Sequence, residues 1–354
     1  MKTYVIAEAG VNHNRDKSTA LKLIDVAAAA GADAVKFQTF NADKLASSSA
    51  PKASYQKSNT GKDESQLAML KSLELPLEWH LELEAHAHQV GIEFLSTAFD
   101  QDSLAFLETL DLPFYKVPSG EITNGPLLLS FARTGKRIIL STGMSSLGEV
   151  ERALAILAWG YLQTDDPISL EQVWRHWATI EAGAVIAENL TLLHCTSQYP
   201  TPMEEVNLLA MGTMSKAFGL PTGYSDHTHG LLVPSAAVAM GATIIEKHFT
   251  LDRNLPGPDH LASLEPDELK QMIEDIRQIE ILLGDGRKLT QASEWDTRAA
   301  ARQRIVATRK IAQGEQFGPS NLGTARTGKG ELPVTIWDRF GQKSAGNFEI
   351  GDSI

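Results

Sequence analysis

Lys36 and Lys116 each interrupt a run of apolar and β-branched residues, in Ala34-Val35-Lys36-Phe37-Gln38 and Phe114-Tyr115-Lys116-Val117. An ammonium group inside such a run is costly to bury unless an opposite charge meets it, whereas a lysine on a surface helix needs no partner. Two kinds of partner suit them: the chain's own carboxylates, Glu8 or Glu121, or a bound anion. Thr97, Ser119, Ser141 and Ser225 close other apolar runs. Hydroxyls gathered around two ammonium groups would make a cradle for phosphate and carboxylate. His227 and His248 end consecutive runs. Side by side, and beside Glu246 and Asp226, they can hold a divalent metal whose open positions are filled by water or substrate; singly, each serves equally well as a hydrogen-bonded structural residue. Glu8, Gln38, Ser96, Glu121, Thr142, His194 and Ser197 are further polar residues closing apolar runs. Lys247 alternates to the face opposite Glu246 and His248 and is left out. His13 suits hydrogen bonding within Asn12-His13-Asn14, and Cys195 reads as a small buried residue.

Eight short runs, separated by Ala- and Leu-rich helical stretches, must bring these residues together. They are Tyr4 to Glu8, Ala34 to Gln38, Glu93 to Thr97, Phe114 to Glu121, Arg137 to Thr142, Leu190 to Ser197, Thr222 to His227 and Thr243 to His248. Helices are expected at Lys17 to Gly31, Asp102 to Leu110, Ser146 to Gly160, Glu171 to Glu188, Glu204 to Ala217, Leu231 to Gly241 and Pro266 to Leu283. Parallel strands need helical crossovers, and eight of them close on a filled interior. The pattern therefore predicts an α/β chain whose residues 1–284 form a (β/α)8 TIM barrel, with an open doubly wound sheet as the competing arrangement. In a barrel the C-terminal strand ends share one mouth, where the polar residues above fall. Trp159, Trp174 and Trp177 lie in the helical stretch before the sixth run and read as packing. Gly284-Asp285-Gly286 ends the pattern. Residues 285–298 read as a linker and 299–354 as a small, loop-rich β domain with short apolar runs at Ile305 to Ala307 and Val334 to Ile336. From Ala299 onward eight Lys or Arg stand against five Asp or Glu, opposite in sign to the rest of the chain, which favours docking between the two parts.

The 354 residues are 43% hydrophobic and 21% charged, which excludes a disordered composition. A net charge of -12 argues against a general nucleic-acid binder, since phosphate backbones are held by Lys and Arg. Cys195 has no cysteine partner, no basic and apolar leader precedes Glu8, and no window is apolar enough to span a bilayer. A cytoplasmic protein with no membrane partner is the expectation.

The segments Ile6-Ala7-Glu8-Ala9-Gly10-Val11-Asn12-His13-Asn14, Val35-Lys36-Phe37-Gln38-Thr39-Phe40, Leu95-Ser96-Thr97-Ala98-Phe99-Asp100 and Lys116-Val117-Pro118-Ser119-Gly120-Glu121 occur in this order. They are followed by Ser141-Thr142-Gly143-Met144, Tyr199-Pro200-Thr201-Pro202, Tyr224-Ser225-Asp226-His227-Thr228, Glu246-Lys247-His248-Phe249-Thr250 and Gly257-Pro258-Asp259-His260. The set resembles the sialic acid (N-acetylneuraminate) synthase family, with its legionaminate, pseudaminate and spore-coat relatives, over nearly the whole chain. The tail resembles that family's antifreeze-like (SAF) domain, with Arg326-Thr327-Gly328 where Arg-Pro-Gly is usual.

The resemblance implies condensation of phosphoenolpyruvate with the open-chain aldehyde of an N-acetylated amino sugar, with phosphate released by carbon–oxygen cleavage. By family matching, phosphoenolpyruvate falls to Lys36, Thr97, Lys116, Ser119, Ser141, Ser197 and Ser225, although some relatives carry Asn in place of Ser197. The sugar falls to Gln38, Glu121, Tyr199, Asp259 and Arg326. His227 and His248 would hold the metal, Mn2+ first with Mg2+, Co2+ or Zn2+ as alternatives, and Glu8 and Glu246 would handle protons or position metal-bound water. A homodimer whose SAF domain caps the partner barrel is also implied, so that Arg326 acts in trans. N-acetylmannosamine, giving N-acetylneuraminate, is the first expectation for the sugar, because Ala42-Asp43-Lys44-Leu45, Ala50-Pro51-Lys52-Ala53 and His260-Leu261-Ala262-Ser263 resemble bacterial synthases of that product. A 2,4-diacetamido-trideoxy hexose leading to N,N'-diacetyllegionaminate, or to pseudaminate, is the alternative. The rivals are condensations of phosphoenolpyruvate with sugar phosphates and a non-catalytic sugar-binding protein. The first lack this tail, and the second has no use for buried lysines beside an imidazole pair.

Overall fold

The computed structural model describes residues 2–61 and 64–354 and divides into two compact units, Met1–Gly284 and Asp285–Ile354. In the first, strands β1 (Tyr4–Gly10), β2 (Ala34–Thr39), β3 (Glu93–Ala98), β4 (Tyr115–Val117), β5 (Ile138–Ser141), β6 (Leu190–His194), β7 (Thr222–Asp226) and β8 (Ile244–His248) form one sheet in the order β3-β2-β1-β8-β7-β6-β5-β4. Every ladder in it is parallel, and β3 lies against β4 where the order ends, so the sheet closes as a TIM-type barrel. The open sheet is thereby excluded.

Alternation along each strand sorts the side chains into two environments. Ile6, Ala34, Leu95, Ile139, Leu193 and Ile244 pack together inside the barrel, and their parity-mates one step further along, Glu8, Lys36, Thr97, Ser141 and Glu246, form the polar layer above them. Val5, Ala7, Val35, Phe37, Leu140, Leu192, Tyr224 and Ile245 point the other way, into the core beneath the helices. The first crossover shows how locally its helix is specified. Asp16 accepts a hydrogen bond from the Thr19 N–H to start Lys17–Ala30, and Gly31, at φ 85°, ends it in the left-handed conformation that favours glycine.

Several boundaries differ from the sequence reading. The fourth run stops at Val117, where Pro118 ends the ladder and Ser119–Glu121 turn into a 3-10 segment. Residues 195–197 likewise leave the β6 ladder. The single helix expected over Glu171 to Glu188 is two, Leu170–Trp177 and Ile180–Asn189, because Thr179 caps the second by accepting from the Ala182 N–H. The helix expected at Glu204 begins at Leu209. Helices Gly125–Arg133 and His80–Val90 complete crossovers that the reading left without one, and the β2-to-β3 connection adds Ala42–Leu45, Ser54–Thr60 and Gln66–Leu73. Trp159, Trp174 and Trp177 pack with Leu129, Ala155 and Val173.

In the second unit β9 (Arg304–Ala307) pairs antiparallel with β10 (Leu322–Ala325), over a core of Ile305, Ala307, Ile311, Phe317 and Leu322. The apolar run at Val334 is helical, not extended: Pro333–Thr335 and Ile336–Arg339 form consecutive turns. The segment read as a linker already holds the 3-10 turn Ala292–Glu294 and the start of the helix Trp295–Ala301. Among the described residues no helix is long and apolar enough to cross a membrane.

Candidate active site

The C-terminal strand ends open into a cavity of about 440 Å³, within the range of ligand sites. Glu8, Lys36, Gln38, Thr97, Lys116, Ser119, Glu121, Ser141, Ser197, Tyr199, Ser225, His227, Glu246, His248 and Asp259 all line it. Arg326 is exposed in the second unit, directly after β10.

At the floor two ammonium groups meet two carboxylates, all four side chains almost wholly buried. Lys36 Nζ lies 2.6 Å from Glu8 Oε2 and 3.4 Å from Glu246 Oε2, and it donates to Thr97 Oγ1 at 2.9 Å. Lys116 Nζ donates to both oxygens of Glu246, at 2.8 and 3.0 Å. The sequence reading offered Glu8 or Glu121 as the lysines' partners. Lys36 does meet Glu8, but the carboxylate opposite Lys116 is Glu246, while Glu121 accepts from Asn124 Nδ2. Burial alone would push the Glu246 carboxyl up, but Lys116 and Lys36 outweigh it and hold the group well below the usual carboxylate range. For Glu8 the order is reversed: burial, reinforced by the charge of Glu246, exceeds the pull of Lys36 and raises it. The Lys36 ammonium, which burial would discharge, is kept charged by Glu246 and Glu8.

Hydroxyls ring this cluster. Ser225 Oγ donates to Glu246 Oε1 at 2.8 Å, and the buried Ser141 Oγ has no hydrogen-bond partner among the described residues. Cys195 is buried, as expected, yet its Sγ lines the cavity 3.2 Å from Ser119 Oγ, and burial raises the thiol so that it stays protonated. Ser119, Cys195 and Ser197 crowd against Gly143, whose N–H donates to Ser119 Oγ at 3.0 Å. A Cβ at Gly143 would stand 2.3 Å from Ser197 Oγ and 2.9 Å from both Cys195 Sγ and Ser119 Oγ. Gly143→Ala is therefore expected to displace that rim and lower kcat/KM by about 100-fold with little loss of helix signal. Steady-state rates beside circular dichroism check this, and near-normal rates would show the rim to be yielding.

The rings of His227 and His248 have centroids 5.6 Å apart. His227 Nδ1 lies 2.7 Å from the Thr196 carbonyl, which can only accept, so Nδ1 carries the proton and Nε2 keeps its lone pair. Burial keeps both rings neutral, His227 down to about 4 and His248 well below its ordinary value, the latter also under the influence of His227. His248 Nδ1 is buried with no hydrogen-bond partner among the described residues. Two neutral imidazoles, one oriented by a backbone carbonyl and the other with an orphaned nitrogen, fit a divalent metal as donors. Among the described residues no group of three or more His, Cys, Asp or Glu is placed to hold an ion, so its other positions would go to water or substrate. Asp226 is not beside the imidazoles. Its parity turns it to the outer face of the barrel, where Lys247 Nζ lies 2.6 Å from Oδ2 and both side chains are wholly buried. Ser96, Thr142 and His194 also face outward, bonded to Thr39, the Leu193 carbonyl and the Val206 carbonyl. The buried His13 Nδ1 accepts from the Arg15 N–H within its loop.

Asp259 is buried, and burial, together with the nearby Glu8 charge, raises its carboxyl to about 7. A carboxyl raised on folding contributes stability that is complete below its unfolded value, near 4, and is lost as pH rises through about 7. The stability of the native chain relative to Asp259→Asn should therefore fall across that interval by on the order of 4 kcal/mol. Denaturant midpoints of the two proteins against pH give the measurement, and parallel curves would contradict it.

On one wall the sequence reading names Tyr199 but assigns no site residue to the connection that packs against it, using Ala42 to Leu45 and Ala50 to Ala53 only as a likeness to known synthases. Tyr55 stacks on Tyr199 with centroids 5.0 Å apart, and Tyr199 in turn leans over His227 at 4.0 Å. Gln56, Gln66, Leu45, Met69 and Leu70 line the cavity beside it. All come from the β2-to-β3 connection, residues 40–92, whose length exceeds what one crossover helix needs and was the available signal.

A parallel barrel with paired charges and imidazoles converging at its C-terminal mouth defines an α/β-barrel enzyme. The NeuB family model matches residues 23–288. Over 353 residues, all of this chain and 99% of the relative, it is 47% identical to the N,N'-diacetyllegionaminic acid synthase of Campylobacter jejuni. It is 44% identical to the protein of the same name from Legionella pneumophila, over 100% and 94% of the two chains. The human N-acetylneuraminate-9-phosphate synthase is 32% identical over 99% and 91%. Among solved structures, the N-acetylneuraminic acid synthetase of Leptospira borgpetersenii, crystallised with citrate, superposes with a TM-score of 0.68 at 33% identity, over 84% of this chain and 90% of the other. The chain belongs to the NeuB family. It is an enzyme, a transferase of the synthase type.

Proposed function

We propose that this chain condenses phosphoenolpyruvate with the open-chain form of a 2,4-diacetamido-trideoxy hexose, giving N,N'-diacetyllegionaminate and phosphate. The buried set of Lys36, Lys116, Glu8 and Glu246 at the barrel mouth carries the reading of the chemistry. The two diacetyllegionaminic acid synthases, at 47% and 44% identity, support this sugar over N-acetylmannosamine, which was the first expectation.

Phosphoenolpyruvate brings a phosphate and a carboxylate into a site already holding two ammonium groups and a ring of hydroxyls. Lys36, Thr97, Lys116, Ser119, Ser141, Ser197 and Ser225 bind it. Gln38, Glu121, Tyr199 and Asp259 orient the sugar. The enol carbon attacks the aldehyde, water adds to the cationic carbon left behind, and the resulting tetrahedral adduct expels phosphate with its bridging oxygen. A divalent metal held by His227 and His248, Mn2+ foremost, would polarise the aldehyde oxygen. Glu246, held ionised, stabilises positive charge, whereas Glu8, with its raised carboxyl, is the group suited to carry a proton. The second unit is read as an antifreeze-like domain that caps the partner's barrel in a homodimer and brings Arg326 to the sugar.

The test is phosphate release with phosphoenolpyruvate, Mn2+ and, in turn, the diacetamido-trideoxy sugar and N-acetylmannosamine. Release should be faster with the former. Label in the bridging oxygen should appear in phosphate. Failure with every acetamido sugar, or label kept in the keto acid, would overturn the reading.

A further inference from the structure

The cavity has two chemically unlike sides. Its floor is ionic and hydroxylated, whereas Val11, Phe40, Leu45, Met69, Leu70, Leu73 and Phe99 form a separate apolar cluster along the β2-to-β3 connection and the neighbouring loop ends. Val11, Phe40, Met69 and Leu73 are buried in it, and Phe40 meets Phe99 edge to face at 6.0 Å. Leu45, Leu70 and Phe99 are only partly buried and line the cavity, so these three present apolar surface to whatever enters.

We propose that Leu45, Leu70 and Phe99 are the specificity determinants for the sugar, receiving the methyl groups of its deoxygenated carbon and its acetyl substituents. This inference rests on the condensation proposed above. Gln56 and Gln66 also line the cavity from this connection and can hydrogen-bond an acetamido group or a hydroxyl, but Leu45, Leu70 and Phe99 themselves cannot satisfy a hydroxyl or phosphate turned against them, which would lose its water without gaining a partner. Lys36 and Lys116 are the Lys or Arg side chains lining the cavity among the described residues, and they are engaged by Glu8 and Glu246. A deoxy sugar with two acetamido groups leaves few such groups facing the wall and offers it methyl carbons. One methyl in an apolar pocket discriminates by about 10- to 200-fold.

The experiment measures kcat/KM for 2,4-diacetamido-2,4,6-trideoxymannose and for N-acetylmannosamine in the unaltered protein and in Leu70→Gln and Leu45→Gln, with thermal melting beside each. The ratio of the two values should fall at least about tenfold in each variant. A ratio that stays constant while both rates fall together, or one that rises, would overturn the assignment. The two residues sit on different helices, Gln66–Leu73 and Ala42–Leu45, so if one variant fails to fold the other still decides. If the unaltered protein turns over neither sugar, the proposed condensation fails and takes this assignment with it. If it turns over the trideoxy sugar and the variants keep its ratio, the assignment alone fails.

Discussion

Replacing Lys116 by alanine is expected to lower kcat/KM by about 1,000-fold, the effect of removing a preorganised charge-stabilising donor from a dry site. Lys116 donates to both oxygens of Glu246, and the two side chains are almost wholly buried. Without it Glu246 keeps Lys36 at 3.4 Å and the Ser225 hydroxyl at 2.8 Å, so the carboxylate is not stranded and the barrel has reason to stay folded. What disappears is half of the positive charge that an incoming phosphate and carboxylate would meet. Phosphate-release kinetics with a melting curve on the same sample measure the effect; a loss of less than tenfold in a folded protein would remove Lys116 from the binding set. The same protein serves a second purpose. Mixed with Arg326→Ala under conditions of subunit exchange, it should recover part of the lost activity if Arg326 serves the partner's barrel, and no recovery would contradict a swapped arrangement.

The second large effect is on stability. Lys247→Met should destabilise the protein by about 3–5 kcal/mol, because it strands Asp226 as an uncompensated charge. Both side chains are 0% exposed, 2.6 Å apart, on the helix-facing side of the sheet, and Lys247 also donates to the Thr228 carbonyl. Asp226 holds the Thr228 N–H and hydroxyl as well, so the pair clamps the chain that follows β7. A fall in Tm on the order of 10 °C is expected. Adding Asp226→Leu should restore much of it, since a well-packed apolar pair commonly matches a buried ion pair. A single variant as stable as the native protein would show that water or another group reaches Asp226.

Much of the barrel was legible because its cause is local. Period-two alternation puts Lys36 with Gln38 and Glu246 with His248 on shared faces and excludes Lys247 without any knowledge of neighbours. The same rule, applied to β7, turns Asp226 outward with Tyr224. Alternation alone therefore separates Asp226 from the imidazoles and pairs it with the outward-facing Lys247. The second helix start at Thr179 was likewise written in a capping residue, although the apolar pattern runs on past it.

Other features depend on closure. Lys116 and Glu246 are 130 residues apart and meet only because the barrel brings β4 and β8 to one interior. Sequence types established that each lysine needed an anion; which carboxylate answers, and which way each carboxyl's proton affinity moves, depends on distances and burial set by the assembled sheet. The wall of Tyr55, Leu45 and Leu70 lies on short helices whose apolar residues look like ordinary core until the chain folds back over the mouth. The strands and the residues facing the mouth were thus determined by patterns spanning a few residues. The pairing of charges and the shape of the cavity's apolar side were decided by contacts between distant segments, which exist only once the chain has folded.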